Sequence, residues 1–257
     1  MNRREAFRQI RNFAVHYGRN QIPALRQFDL AIIEPSAHDA TDIDVLQSNN
    51  TLVLAYVTVM EVGPHHPQWT QLTEDDFIKA DGQVLMQSAY GTSILDLTST
   101  RWRGMLFHTV GELMMRRRYD GIFLDTIGDV EMPSVTNPTA QMTGAVDIVR
   151  TLRNWFPDAI MVQNNGLELL VLDTAPYIDG LVCENPPLHL KSADAWNQRI
   201  GERLHELEQQ YGLKTLLLFD GIEVMPRKDW ILRRRFGDVH QFPTYFAQTH
   251  YIGDVPL

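Results

Sequence analysis

Two acids stand out by their setting. Asp125 closes the run Asp120-Gly121-Ile122-Phe123-Leu124-Asp125, and Glu184 closes Asp179-Gly180-Leu181-Val182-Cys183-Glu184. Each run opens on Asp-Gly, continues through apolar residues or a thiol, and ends on a carboxylate. Two carboxyl groups, one kept protonated and one kept ionised, are what hydrolysis of a glycosidic bond requires. The competing reading is that each acid only caps the helix after it, a common job for Asp and Glu at strand-to-helix junctions. Cys183 has no histidine near it in the sequence and reads as a core thiol. The adjacent His65 and His66 lack a third ligand at useful spacing, and Thr41-Asp42-Ile43-Asp44 is too sparse for a calcium loop. Neither a metal nor a cofactor is expected.

The elements that must carry these acids are legible as short apolar runs at 13–17, 28–34, 52–59, 121–125, 159–165, 178–184, 213–220 and 241–246. Such runs suit strands buried on both faces of a parallel sheet. Helical stripes lie between them. Trp102, Leu106, Val110, Leu113 and Met114 follow a Thr98/Ser99 cap signal. Ala145, Ile148, Val149, Leu152 and Phe156 stop at Pro157, and Trp196, Ile200, Leu204, Leu207 and Tyr211 close at Gly212. Weaker helical signals cover 23–28 and 42–48. Trp102, Trp155 and Trp196 read as core, while Trp69 fits either a sugar platform or a packing anchor.

Eight strands alternating with helices predict an α/β fold, a single (β/α)8 TIM barrel spanning residues 1–257 as one domain. An open doubly wound sheet would carry a glycine-rich phosphate turn, and neither G-x-G-x-x-G nor G-x-x-x-x-G-K occurs. The segment 61–94 is too long for an ordinary strand-to-helix loop. Within it, 77–80 and 83–86 around Asp81-Gly82 predict a β-hairpin insertion after strand 3, with a type I′ turn.

In such a barrel the reactive groups sit at the C-terminal strand ends. These ends are Tyr17, Glu34, Tyr56 or Glu61, Asp125, Asn164 with Asn165, Glu184, Asp220 and Tyr245, a lining suited to a polyhydroxylated ligand. Asp125 and Glu184, on alternate strands, are expected to face each other with carboxyl groups about 5–6 Å apart. Lys and Arg total 23 against 32 Asp and Glu, a net charge of −9, which argues against nucleic-acid binding. The basic cluster Arg116-Arg117-Arg118 reads as a solvated helix end. One cysteine allows no intramolecular disulfide. The longest apolar run, 52–60, is far short of the ~20 residues that span a bilayer, and the N-terminus lacks the apolar core of a signal peptide.

The ordered motifs Val-His-Tyr-Gly (15–18), Phe-Asp-Leu-Ala-Ile-Ile-Glu-Pro (28–35), Val-Leu-Ala-Tyr-Val-Thr-Val-Met-Glu (53–61), Leu-Asp-Leu-Thr (95–98) with Trp102-Arg103, Tyr-Asp-Gly-Ile-Phe-Leu-Asp-Thr (119–126), Gln-Asn-Asn-Gly (163–166) and Cys-Glu-Asn (183–185) together resemble glycoside hydrolase family 114, the endo-α-1,4-polygalactosaminidases. They are also similar to the hydrolase domain of the Pel exopolysaccharide system. The resemblance runs from about residue 13 to 250. It implies a barrel that cleaves α-1,4-linked galactosamine polymers internally, with Asp125 as nucleophile, Glu184 as general acid/base and retention of configuration. A cationic polysaccharide partner and a secreted or periplasmic address follow from it, with a cytoplasmic address as the alternative because the chain shows no signal peptide; a monomer is expected. The alternatives are a carbohydrate-binding barrel without turnover and a glycosidase for another amino-sugar or neutral glycan. Two departures from the family pattern stand out: Gly221 follows Asp220 where Tyr is common, and Met60 precedes Glu61 where Gly is typical.

Overall fold

The computed structural model describes residues 2–87, 90–188, 190–191 and 194–256. Eight strands form one sheet in chain order: β1 (Phe13–His16), β2 (Leu30–Ile33), β3 (Leu52–Thr58), β4 (Gly121–Asp125), β5 (Ile160–Asn164), β6 (Gly180–Glu184), β7 (Lys214–Phe219) and β8 (Thr244–Phe246). Every ladder is parallel. β8 comes round beside β1, where the ring of Tyr245 lies 5.8 Å from Phe13. The result is a nearly closed (β/α)8 barrel. Its strands are almost wholly buried because the outer helices cover one face and the barrel interior the other.

The helices are α1 (Arg3–Arg8), α2 (Ile22–Leu25), α3 (Ala40–Ser48), α4 (Thr100–Met115), α5 (Pro138–Trp155), α6 (Leu170–Thr174), α7 (Asp194–Tyr211) and α8 (Arg227–His240). Ser99 caps α4 by accepting from the Trp102 amide, and the Trp102 indole donates to the Val59 carbonyl at 2.8 Å, tying α4 to the end of β3. Trp155 departs from its expected place in the core: it is 56% exposed at the end of α5, its ring against Phe107. Trp69 packs on Phe77 at 5.6 Å, which makes it an anchor of the insertion.

The repeated Asp-Gly form has a physical origin at the N-terminal end of the barrel. Asp120 accepts from the Val53 amide of β3 at 2.9 Å, and Asp179 accepts from the Met161 amide of β5 at 2.9 Å. Each aspartate thus stitches the start of its own strand to the strand before it. The glycines allow the close approach that follows. A Cβ on Gly121 would lie 2.0 Å from the Ile160 carbonyl oxygen, and one on Gly180 would strike the Phe7 ring and the Lys214 carbonyl. The Phe7 ring, carried by α1, is fully buried against this end of the barrel, with Arg3 on Asp120 and Arg4 on Asp179 at its flanks. One end of each motif therefore serves stability and the other is left for chemistry.

The long insertion after β3 builds its own small sheet, in which Glu61–Val62, Thr92–Ile94 and Met86–Gln87 pair antiparallel. The hairpin is present but shorter than expected, joining Lys79–Ala80 to Gln83–Val84. Asp81 (φ 51°) and Gly82 (φ 78°) are both left-handed, as a type I′ turn demands. Phe77 instead bridges Leu95, and Met86 pairs with Ser93.

Candidate active site

The side chains at the barrel mouth are aimed by a recurring backbone device. Directly after β4, β5 and β6 the chain turns left-handed, at Thr126 (φ 59°), Asn165 (φ 53°) and Asn185 (φ 48°); after β7 it does so at Gly221 (φ 69°). The break in direction leaves Asp125, Asn164, Glu184 and Asp220 pointing over the mouth. The asparagines reinforce the break: Asn165 Oδ1 accepts from the Glu184 amide at 3.0 Å, and Asn185 Oδ1 from the Asp220 amide at 3.2 Å. Thr126 is the costly case, because a β-branched residue rarely tolerates this region. Its hydroxyl is held by the amides of Val59, Met60 and Glu61 at 3.2, 2.9 and 3.2 Å, which ties the turn to the chain leaving β3.

Asp125 and Glu184 converge on one amide. Asn164 Nδ2 donates to Asp125 Oδ1 at 2.5 Å and to Glu184 Oε2 at 2.6 Å. Two oxygens bound to one nitrogen at those distances are no more than about 5.1 Å apart. Placing Nδ2 here is chemically required, since the amide oxygen in its place would face two acceptors. Asp125 receives further hydrogen bonds from the Tyr56 phenol and the Thr126 amide, and Glu184 Oε1 accepts from the Tyr251 phenol. Burial raises both carboxyl groups above their ordinary range. For Glu184, burial and then the charge of Asp125 push the value up to about 7. The charge of an ionised Asp125 raises Glu184, so the proton shared by the pair belongs on Glu184.

The pair lies in a cavity of about 490 Å³ lined also by Tyr17, Tyr56, Glu61, Asp129, Asn165, Asp220 and Tyr251. Five carboxyl groups line it and, among the described residues, no lysine or arginine does. The rings of Tyr56, Tyr17 and Tyr251 form a tilted row with centroid distances of 4.7 and 5.0 Å. Burial pushes the phenols of all three well above their usual value, so they stay protonated donors. Glu61 stands on the insertion sheet, accepting from the Thr92 hydroxyl, and faces Asp129 within hydrogen-bonding reach. Asp129 Oδ2 is buried with no donor to it among the described residues. A proton on Asp129, donated to Glu61, resolves that vacancy. Burial first and the Glu61 carboxylate next push Asp129 up to about 9, in keeping with the proton's presence.

Two expected lining residues belong elsewhere. Glu34 curls back to accept from the Ser36 amide at 3.0 Å, capping a short turn, and borders a separate, more apolar cavity beside Trp102. Tyr245 is buried at the barrel seam between Phe13 and Phe28, where burial raises its phenol. Its ring is part of the core that closes β8 on β1. Asp129, Tyr251, Thr92 and Tyr90 join the site from loops and insertion strands with no periodic signal of their own. Cys183 is fully buried and its thiol is pushed up to about 12, which makes it a packing residue. His66 lines the cavity, but its Nδ1 is taken by the Gln68 amide.

A parallel (β/α)8 barrel with two carboxyl groups bridged at its mouth is the architecture of a glycoside hydrolase. The chain belongs to glycoside-hydrolase family GH114, whose family model matches residues 3–187. Among solved structures it is similar to the glycoside hydrolase domain of PelA from Pseudomonas aeruginosa, with 17% identity, TM-score 0.74, and coverage of 96% of this chain and 100% of that one. It is similar also to Aspergillus fumigatus Ega3 in complex with galactosamine, with 12% identity, TM-score 0.74, and coverage of 95% and 93%. The α-galactosidase TtGalA from Thermus thermophilus shares the fold more distantly, with 12% identity and TM-score 0.60 over 91% of this chain and 57% of that one. No curated protein matches the chain.

Proposed function

We propose that this chain, acting as a monomeric single domain, is a retaining endo-glycosidase of α-1,4-linked galactosamine polysaccharide, with Asp125 as nucleophile and Glu184 as general acid/base. The observation that carries the reading is the Asn164 bridge, which limits the facing oxygens to about 5.1 Å. That spacing suits retaining enzymes, whose carboxyl groups lie ~5–5.5 Å apart, better than inverting ones, which need ~6.5–9.5 Å to seat a water. In the first step a bond forms between an Asp125 oxygen and the anomeric carbon as the glycosidic bond breaks. The proton of Glu184 passes to the leaving oxygen. In the second, Glu184 takes a proton from water, the water oxygen bonds to the anomeric carbon, and Asp125 is released as carboxylate.

The preference for an amino sugar is supported by charge. A polymer with free amines is cationic, and a mouth lined by five carboxyl groups and, among the described residues, by no lysine or arginine attracts it. The galactosamine held in the Aspergillus fumigatus structure points the same way. Such a substrate carries with it a secreted or periplasmic setting.

The test is release of reducing ends from polygalactosamine, its acetylated form, chitosan and a neutral galactan, with product stereochemistry followed by NMR. Cleavage of polygalactosamine with retention, abolished in Glu184→Gln, is expected. Unchanged turnover in that variant would end the assignment of Glu184. Binding without turnover would mark a carbohydrate-binding barrel, and an inverted product would overturn the role given to Asp125.

A further inference from the structure

The two oxygens of Glu184 are not equivalent. Oε2 is held by Asn164 Nδ2, an amide group that can only donate, so it remains an acceptor in both protonation states. Oε1 faces the Tyr251 phenol, which can donate to an ionised carboxylate or accept from a protonated one, and the Asn185 amide reaches it only at the outer limit of 3.5 Å, against 2.6 Å for Asn164 on Oε2. The transferable proton therefore resides on Oε1.

The segment that brings Tyr251 there is unusual. It follows the last barrel strand, outside the span matched by the family model. His250 (φ 59°) and Tyr251 (φ 57°) are consecutive left-handed residues, a conformation that bulky side chains avoid unless their surroundings impose it. Here the surroundings do so. The Tyr251 carbonyl accepts from the Tyr17 amide at 2.7 Å, fastening the turn to the end of β1, and the Tyr251 ring packs on Tyr17. A strained turn latched at its backbone and spent on one hydroxyl contact is a positioning device.

We propose that Tyr251 is the positioning residue of the acid/base, fixing Oε1 of Glu184 as the oxygen that gives and takes the proton. The proposal rests on the assignment of Glu184 above. Other titratable groups act on this environment from around the barrel: Asp125 on β4, Asp129 beyond it, Asp220 after β7, Tyr17 on the β1 side, Tyr90 from the insertion and Cys183 on β6 itself. Tyr251 differs from these in donating directly to Oε1. Because a phenol donates better than it accepts, the contact favours the ionised form and lowers the proton affinity of Glu184.

The experiment is a ¹³C NMR titration of glutamate side-chain carboxyls in the full chain, with Glu184→Gln to assign the resonance. Tyr251→Phe keeps the ring on Tyr17 and removes the hydroxyl. It should raise the Glu184 midpoint by about one pH unit, a tenfold change in proton affinity. The alkaline limb of kcat/KM should move up by the same amount, with kcat reduced at least tenfold and KM within twofold. Difluorotyrosine at position 251, a stronger donor that preserves the fold should the phenylalanine not, should lower the midpoint. An unmoved midpoint in both variants, with activity merely scaled down, would overturn the proposal and leave Tyr251 a packing residue. If the midpoints move as stated while the wild type hydrolyses nothing on the panel, the proposed function fails and the coupling of Tyr251 to Glu184 stands.

Discussion

Replacing Asp125 with asparagine should lower the midpoint of Glu184 from about 7 to roughly 5. The side chain keeps its shape, and its amide oxygen can go on accepting from Asn164, so the loss is confined to one negative charge. Burial is the larger cause of the high value of Glu184 and the Asp125 charge the next. With the facing oxygens at most about 5.1 Å apart, a unit charge at ~5 Å and an effective dielectric constant of ~20 contributes about 3 kcal/mol, or roughly two pH units. Burial persists in the variant, so the value settles near the upper end of the ordinary glutamate range. The carboxyl titration of Glu184 followed by ¹³C NMR reads this directly, without any need for turnover. A midpoint that stays near 7 in Asp125→Asn would refute the reasoning, since burial alone would then set the value and the two acids would not behave as one electrical unit.

Two further outcomes concern stability. Asp179→Ala strips the partner from Arg153, whose side chain is only 11% exposed, and removes the acceptor of the Met161 amide. A loss of about 3–5 kcal/mol in urea unfolding is expected, and a loss under about 1 kcal/mol would count against the stitching role. Asp129, raised from 3.8 to about 9 in the folded chain, binds its proton more tightly there than when unfolded. Its contribution to stability is complete below about pH 4 and is lost as pH rises toward 9. Thermal melts of Asp129→Asn should therefore gain on the wild type steadily between pH 5 and pH 9. A gap independent of pH would exclude a protonated Asp129.

All eight barrel strands were legible because burial on both faces writes each as a short apolar run, and each lies within about two or three residues of its observed bounds. The helix α8 was not. Leu232, Phe236 and Val239 follow helical spacing, but Trp230 and Ile231 lie off that row and only Gly237 of the helix is buried, so the row marks no core-facing stripe. The insertion sheet was missed because its strands are two or three residues long and carry no alternation to read. At the mouth, Asp125, Asn164, Glu184 and Asp220 were found because a strand end fixes which way a side chain faces. Glu34 and Tyr245 show where that rule fails. Glu34 lies one residue past β2 and is free to turn back onto its own backbone, and Tyr245 sits within β8, where the seam claims it. Tyr251 reaches Glu184 across 67 positions of chain, through a turn that no propensity predicts.

The plug at the foot of the barrel bears on how the chain reaches this state. Phe7 and its flanking arginines are synthesised well before their partners, for Arg4 meets Asp179 only 175 residues later. Until β4 to β6 have assembled, this aromatic ring has no seat, and the amino-terminal helix is left as a greasy handle on an unfinished molecule. Docking it is then a closing event of folding, one that locks the base of the cylinder after the walls are built.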